Sequence, residues 1–244
     1  MRCLDGHLLI ALDGTEYHCS DKIHCPNCSH RKRGKDQTEY FHSLLAATVV
    51  APGHNRAVPL EPEFIVPQDG HDKQDCDSRA ARRWLSAHGP KYARLKAVCL
   101  GDDLFSRQPI CEAVLAEGLH FLFVCKPDSH PAIEAFRTGI VLDTLTERHR
   151  HGKTTTTYCY QWLCGVPLRG DAKAIDVNWF SVEIADAKGK VTPGSSPGAG
   201  SPQQLRHRYG GRAGQCRGHG RGGPGALEGL CPRRRGSRTK RSIR

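Results

Sequence analysis

The sequence predicts a mixed α/β fold, on three observations. Apolar runs of strand length end in carboxylates, an amphipathic stretch of helical period separates two of these runs, and turn signals bound the segments. Residues 7–13, His-Leu-Leu-Ile-Ala-Leu-Asp, read as a buried strand that carries Asp13 to a sheet edge, with Gly14 as the turn. A segment rich in Cys, Lys and Arg follows. Residues 44–51, Leu-Leu-Ala-Ala-Thr-Val-Val-Ala, form a second buried run that Pro52-Gly53 stops.

From Lys73 to His88 the positions Cys76, Ala80, Ala81, Trp84 and Leu85 recur at helical spacing, and Gly89-Pro90 reads as the stop. Residues 95–103, Leu-Lys-Ala-Val-Cys-Leu-Gly-Asp-Asp, spell another strand ending in carboxylates. Ser106 is placed to cap a helix through Ala116 before Gly118, and residues 119–125 read as a further strand. Pro131 to Phe136 is a short helix candidate. Residues 154–164 and 178–185, rich in Thr, Tyr, Trp, Val and Ile, have strand composition and are expected to pair as an antiparallel addition. Trp84, Trp162 and Trp179 are expected to pack in the core and not to stack on bases.

The formal charge of +11 is not spread along the chain of 244 residues. Residues 1–192 hold 24 basic and 24 acidic side chains, so the excess comes from residues 193–244, where 12 basic residues meet only Glu228. Those last 52 residues contain 13 Gly and 11 Arg and no apolar periodicity, so they are expected to be a disordered tail that cannot bury enough surface to offset its ordering entropy. Affinity for DNA does not follow from the total charge. No run of about 18 apolar residues is present, which excludes a membrane-spanning helix, and the first twelve residues lack a leader pattern. The 12 Cys in a chain this long are expected to be reduced thiols in the cytoplasm.

The chemistry-bearing residues are the strand-terminal acids. Asp13 ends one apolar strand and Asp102 and Asp103 end another, so distant carboxylates meet at one sheet edge and repel unless a cation intervenes. Mg²⁺ or Mn²⁺ suits such a pair, since hard ions prefer oxygen and retain several waters. Two ions about 3.5–4 Å apart activate a nucleophile and stabilise a leaving oxygen in phosphoryl transfer. The competing reading is that each aspartate caps the turn after its strand.

Cys25-Pro-Asn-Cys28 is a zinc-knuckle candidate, because a two-residue spacer lets both thiolates reach one Zn²⁺, with Cys19, His24 or His30 near enough to complete the site. Reduced cysteines without metal are the alternative. Arg31-Lys32-Arg33-Gly34-Lys35 either tracks phosphates or forms a solvated loop, and His149-Arg150-His151-Gly152-Lys153 either approaches DNA or is an exposed hairpin turn.

The segments Leu-Ile-Ala-Leu-Asp13-Gly-Thr and Ala-Val-Cys-Leu-Gly-Asp102-Asp103-Leu-Phe-Ser resemble the first two acidic motifs of DDE-type bacterial insertion-sequence transposases. The resemblance extends over roughly residues 7–185, through Lys-Ile-His24-Cys25-Pro-Asn-Cys28, Phe-Ile-Val-Pro-Gln-Asp69-Gly and Lys73-Gln-Asp75-Cys76. It implies a ribonuclease H-like mixed sheet flanked by helices, with a β-rich insertion over about residues 140–192 and a metal-dependent cleavage and strand-transfer activity. The implied metal ligands are Asp13 and Asp102, with Asp103 as the alternative for Asp102. The implied partners are DNA, as transposon ends and target, and a second copy or a full-length transposase. A nucleoid-associated cytoplasmic location follows from the same resemblance.

The third acid departs from the family pattern, which places a Glu on a helix after the insertion within a run of Tyr, Arg, Glu and Lys. Glu183 lies in a strand-like segment and Glu228 in the Gly/Arg-rich tail. The Gly, Arg, Pro, Ala and Ser of that tail are encoded by GC-rich codons, as expected of a reading frame lost near residue 192. The sequence therefore reads as a truncated or frameshifted, inactive descendant. A zinc-stabilised nucleic-acid-binding module and a non-catalytic regulator of a full-length transposase are the other readings.

Overall fold

The structure is a computed structural model and describes residues 6–34, 37–67 and 75–191, with the backbone of 198–200. Strand β1 (Leu8–Ser20) is buried at Leu9, Ile10 and Leu12 and turns polar beyond them. It continues through Gly14, which is not the expected turn. Antiparallel pairing with β3 (Gln37–Val50), from Leu9↔Val50 to Ser20↔Tyr40, supplies backbone partners along the whole arm and overrides the local signal. Strand β2 (Ser29–Arg33) lines the other side of β3, and two short strands, β4 (Val58–Pro59) and β5 (Glu63–Ile65), pair with β3 nearer its C-terminal end.

Helix α1 (Asp77–Ala93) buries Ala80, Ala81, Trp84, Leu85 and Tyr92, a stripe at helical spacing. Trp84 is fully buried, and its indole N–H donates to the Glu61 carbonyl at 2.8 Å. The helix does not stop at Gly89-Pro90 as expected. At Gly89 a Cβ would stand 2.8 Å from that of Glu117, so the missing side chain allows the close approach of the residue following the next helix. That packing carries the helix past a proline which local preference would make a boundary.

Strand β6 (Ala97–Gly101) lies parallel to β1, helix α2 (Gln108–Ala116) follows, and β7 (His120–Val124) lies parallel to β6. The residue before α2 is Arg107, not Ser106. Ser106 points elsewhere, donating to the Asp103 carbonyl at 2.6 Å and meeting His130 Nε2 at 2.7 Å. Gly118 ends α2 as expected: its φ of +72° is left-handed, and the Leu119 amide returns to the Val114 carbonyl in a Schellman-type closure.

Helix α3 (Pro131–Thr138) precedes a meander of β8 (Asp143–His151), β9 (Thr154–Pro167) and β10 (Asp176–Ala185). The antiparallel β9–β10 pair matches the expected addition, and β8, exposed along its whole length, completes a hairpin that turns at residues 152–153. Strand β11 (Gly198–Gly200) runs between β7 and β10 and pairs antiparallel with both. This corrects the expectation of a tail without regular structure from residue 193. Two strand edges otherwise left open each gain a row of backbone partners there. The remainder of the tail, with Glu228, lies outside the described residues, as do Asp69 and Lys73.

The sheet thus runs β2-β3-β1-β6-β7-β11-β10-β9-β8, a mixed sheet with antiparallel and parallel pairs. The core gathers where α1 and α2 cover β1, β3, β6 and β7, and Trp84 and Trp179 are among its largest buried side chains. Trp162 is also buried. Among the described residues no helix is long and apolar enough to cross a membrane.

Candidate functional site

The β1–β6 register brings the two predicted acids together. Pairing runs from Leu8↔Ala97 to Ala11↔Leu100, and Asp13 and Asp102 each follow the last pair by two residues. The charges of both act on the Asp77 carboxyl, which places the two acids near one point where β6 ends. Asp13 and Asp102 are exposed there, and the Leu104 amide donates to Asp102 Oδ1 at 2.9 Å, an Asx turn that orients the group. Asp13 is interior to β1, not at its end; it stands where β6 stops and β3 continues.

A third carboxylate, absent from the sequence-based candidates, joins them. Asp77, the first residue of α1, sits over β1, and a Cβ placed on Gly14 would lie 2.6 Å from its Cγ. Burial, followed by the charges of Asp13, Asp102 and Asp75, raises the Asp77 carboxyl above the usual aspartate value. The field of both predicted acids therefore converges on Asp77. Asp77 lines an open cleft of about 300 Å³ together with Ser78, with Gly14, which follows Asp13 in the chain, and with Leu104, close after Asp102.

Asp75 and Asp103 are differently employed. The Asp75 side chain is almost fully buried and receives both Arg83 terminal nitrogens, at 2.9 and 2.8 Å, with the Val66 and Cys76 amides. Burial works to raise its pKa, but the Arg83 hydrogen bonds and charge and those two amides outweigh it, so the net shift is downward. Asp103 accepts from the Lys126 amide at 2.7 Å and the Ser129 hydroxyl at 2.5 Å. Both oxygens are thus engaged in fixing the turn at Pro127–Ser129. Its pKa is also held down, against the effect of burial, by Ser129, Lys126 and the charges of His130 and Arg107. These contacts give Asp103 a turn-fixing part.

The cysteine motif forms a second cluster. Cys25 Sγ and Cys28 Sγ are 3.7 Å apart, and His42 Nε2 stands 3.3 Å from each. The third member comes from the middle of β3. The expected completing residues are otherwise placed: Cys19 Sγ lies 4.0 Å from an Arg31 nitrogen, the His24 ring stacks on Tyr40 at 4.4 Å, and the His30 ring tilts toward Tyr40 at 6.4 Å. His42 carries a sequence signal only once the register is known, since Ser29↔Phe41 sets Cys28 across from it.

The basic run does not present all of its charge. Arg31 pairs with Glu16 and Glu39, and Arg33 with Glu39, so β2 is cross-linked to its neighbours by ion pairs. Arg148, Arg150 and Lys153 are exposed around the β8–β9 hairpin. Glu183 is exposed on β10 opposite Cys159. Among the described residues, the carboxylates acting on Asp77 are Asp13, Asp102 and Asp75. No protein-family model matches the chain, and no curated protein matches it significantly.

Proposed function

We propose that this chain carries a ribonuclease H-like domain of the DDE transposase type, which binds Mg²⁺ or Mn²⁺ at Asp13 and Asp102 and acts on DNA phosphodiesters. The observation that carries the reading is the β1–β6 register, which pairs Ala11 with Leu100, each two residues before one of these acids. The order β3-β1-β6-β7, with one antiparallel step, two parallel steps and helices in the crossovers, supports the same reading.

Asp13 and Asp102 would hold a divalent ion, which would relieve their repulsion and supply Lewis-acid chemistry at a phosphoryl oxygen. Asp13 and Asp102 orient the ion, and Asp77 adds negative charge and an acceptor from the helix side. The third acid of the family pattern is a downstream glutamate, and Asp77 occupies a different position. The reading accordingly assigns metal binding and at most weak hydrolysis to the chain, with strand transfer impaired.

The test is Mn²⁺ titration of the purified chain with a DNA-nicking assay. Binding and nicking lost together in Asp13→Ala and Asp102→Ala, with unchanged circular dichroism, support the proposal. Binding or nicking that survives both substitutions overturns it. Inhibition of an intact transposase by a metal-free chain would favour the regulator instead.

A further inference from the structure

We infer that Cys25, Cys28 and His42 form a Zn²⁺ site that staples the β2–β3 edge. The inference goes beyond the transposase reading and does not depend on it. Zn–S bonds of about 2.3 Å and Zn–N bonds of about 2.0–2.1 Å in a tetrahedron require S···S edges near 3.8 Å and S···N edges near 3.5 Å. The observed edges are 3.7, 3.3 and 3.3 Å. A disulfide requires its sulfurs about 2.0 Å apart, so this spacing holds two separate thiols. All three ligating atoms lie within 4.8 Å of one another, close enough to share one ion.

The local backbone also suits a metal. The Cys28 amide donates to the Cys25 carbonyl at 3.1 Å, closing a tight turn across Pro26-Asn27 that aims both side chains to one side. The Cys25 amide donates to Cys28 Sγ at 3.2 Å, which fixes that sulfur over the turn. The Tyr17 ring stacks on His42 with centroids 5.7 Å apart and fixes the plane of the imidazole. Cys28 is buried while Cys25 is exposed, so solvent reaches the cluster from the Cys25 side, where the fourth position of an ion would be open.

Geometry assigns the site a structural part. It joins the loop after β1 to the middle of β3 and so holds the start of β2, the edge strand bearing Arg31, Lys32 and Arg33. Zn²⁺ is the ion of choice because two thiolates and an imidazole are softer than the oxygen donors that Mg²⁺ and Ca²⁺ select.

The experiment measures zinc in the full chain by elemental analysis and follows Co²⁺ substitution by absorption. We expect about one zinc per chain, a thiolate-to-cobalt charge-transfer band and a lower Tm after chelation. Cys25→Ser lies on the exposed side and should keep the fold while losing at least about tenfold in zinc affinity. His42→Cys retains a donor and should keep zinc, whereas His42→Ala should lose it. A chain without zinc and without a cobalt charge-transfer band overturns the assignment. So does zinc content undiminished in both Cys25→Ser and His42→Ala.

Discussion

Gly14 and Asp77 approach so closely that a Cβ on residue 14 would lie 2.6 Å from the Asp77 carboxylate. The strand and the helix N-terminus share this space only because residue 14 has no side chain. Gly14→Ala should turn the Asp77 carboxylate away from Asp13 without unfolding the sheet, since the displaced group is the tip of a short side chain beside an open cleft. We expect a Tm change within about 4 °C, the equivalent of roughly 1 kcal/mol in a domain of this size, with weakened Mn²⁺ binding. Thermal unfolding and a metal titration check both; an unchanged titration would separate Asp77 from the site.

Asp77 has a raised pKa, caused first by burial and then by Asp13 and Asp102. Between the ordinary aspartate value of 3.8 and the higher folded value, the native state binds more protons than the unfolded chain, so this group costs stability as pH rises through that window. Asp77→Asn should therefore raise Tm at neutral pH in metal-free buffer. The gain should vanish at acid pH and shrink when Mn²⁺ is added. A Tm series across pH with and without the ion measures it.

Asp75 has the opposite sign. Burial raises its pKa but the Arg83 pairing and two backbone amides lower it further, so its contribution is present above the unfolded value and is lost as pH falls through the folded one. Asp75→Ala leaves Arg83 and the Val66 and Cys76 amides without their acceptor. Hydrogen bonds to charged groups are worth about 1.5–3 kcal/mol each, and Arg83 is partly exposed and rehydrates, so a total loss of about 2–3 kcal/mol is expected. Urea unfolding of Asp75→Ala against the parent chain provides the measurement.

The exposed cations of the β8–β9 hairpin bear on DNA contact. If Arg148 and Arg150 each neutralise one phosphate, the double substitution to alanine should flatten the slope of log affinity against log salt by about 1.8 for duplex DNA, with no change in Tm. Fluorescence anisotropy over a range of salt reads the slope. An unaltered slope would make the hairpin a solvated turn.

Local sequence signals located the central strands β1, β3, β6 and β7 and the β9–β10 pair, because burial leaves a composition mark, but not the short strands β2, β4, β5 and β11. Leu9, Ile10 and Leu12, and Val98 and Cys99, sit in apolar runs that a central strand needs on both faces. Asp13 and Asp102 stand out as the charges that end those runs. β8 was missed because every residue of it faces solvent and no apolar alternation marks it. At Gly14, Ser106 and Gly89-Pro90 the local preference was real but overruled, by cross-strand pairing, by the His130 contact and by the close approach of Glu117 to α1.

Asp77 and His42 left no such mark. Asp77 lies at a polar helix start like many others, and His42 lies within a half-buried strand between ordinary neighbours. What makes each of them a candidate ligand is proximity to residues remote along the chain: β1 under the start of α1 for one, the Cys25–Cys28 turn across β2 for the other. Hydrophobic burial and turn chemistry act over a few residues and are written into short segments. Strand register and helix docking are set by the summed contacts of whole elements, so no window of sequence contains them.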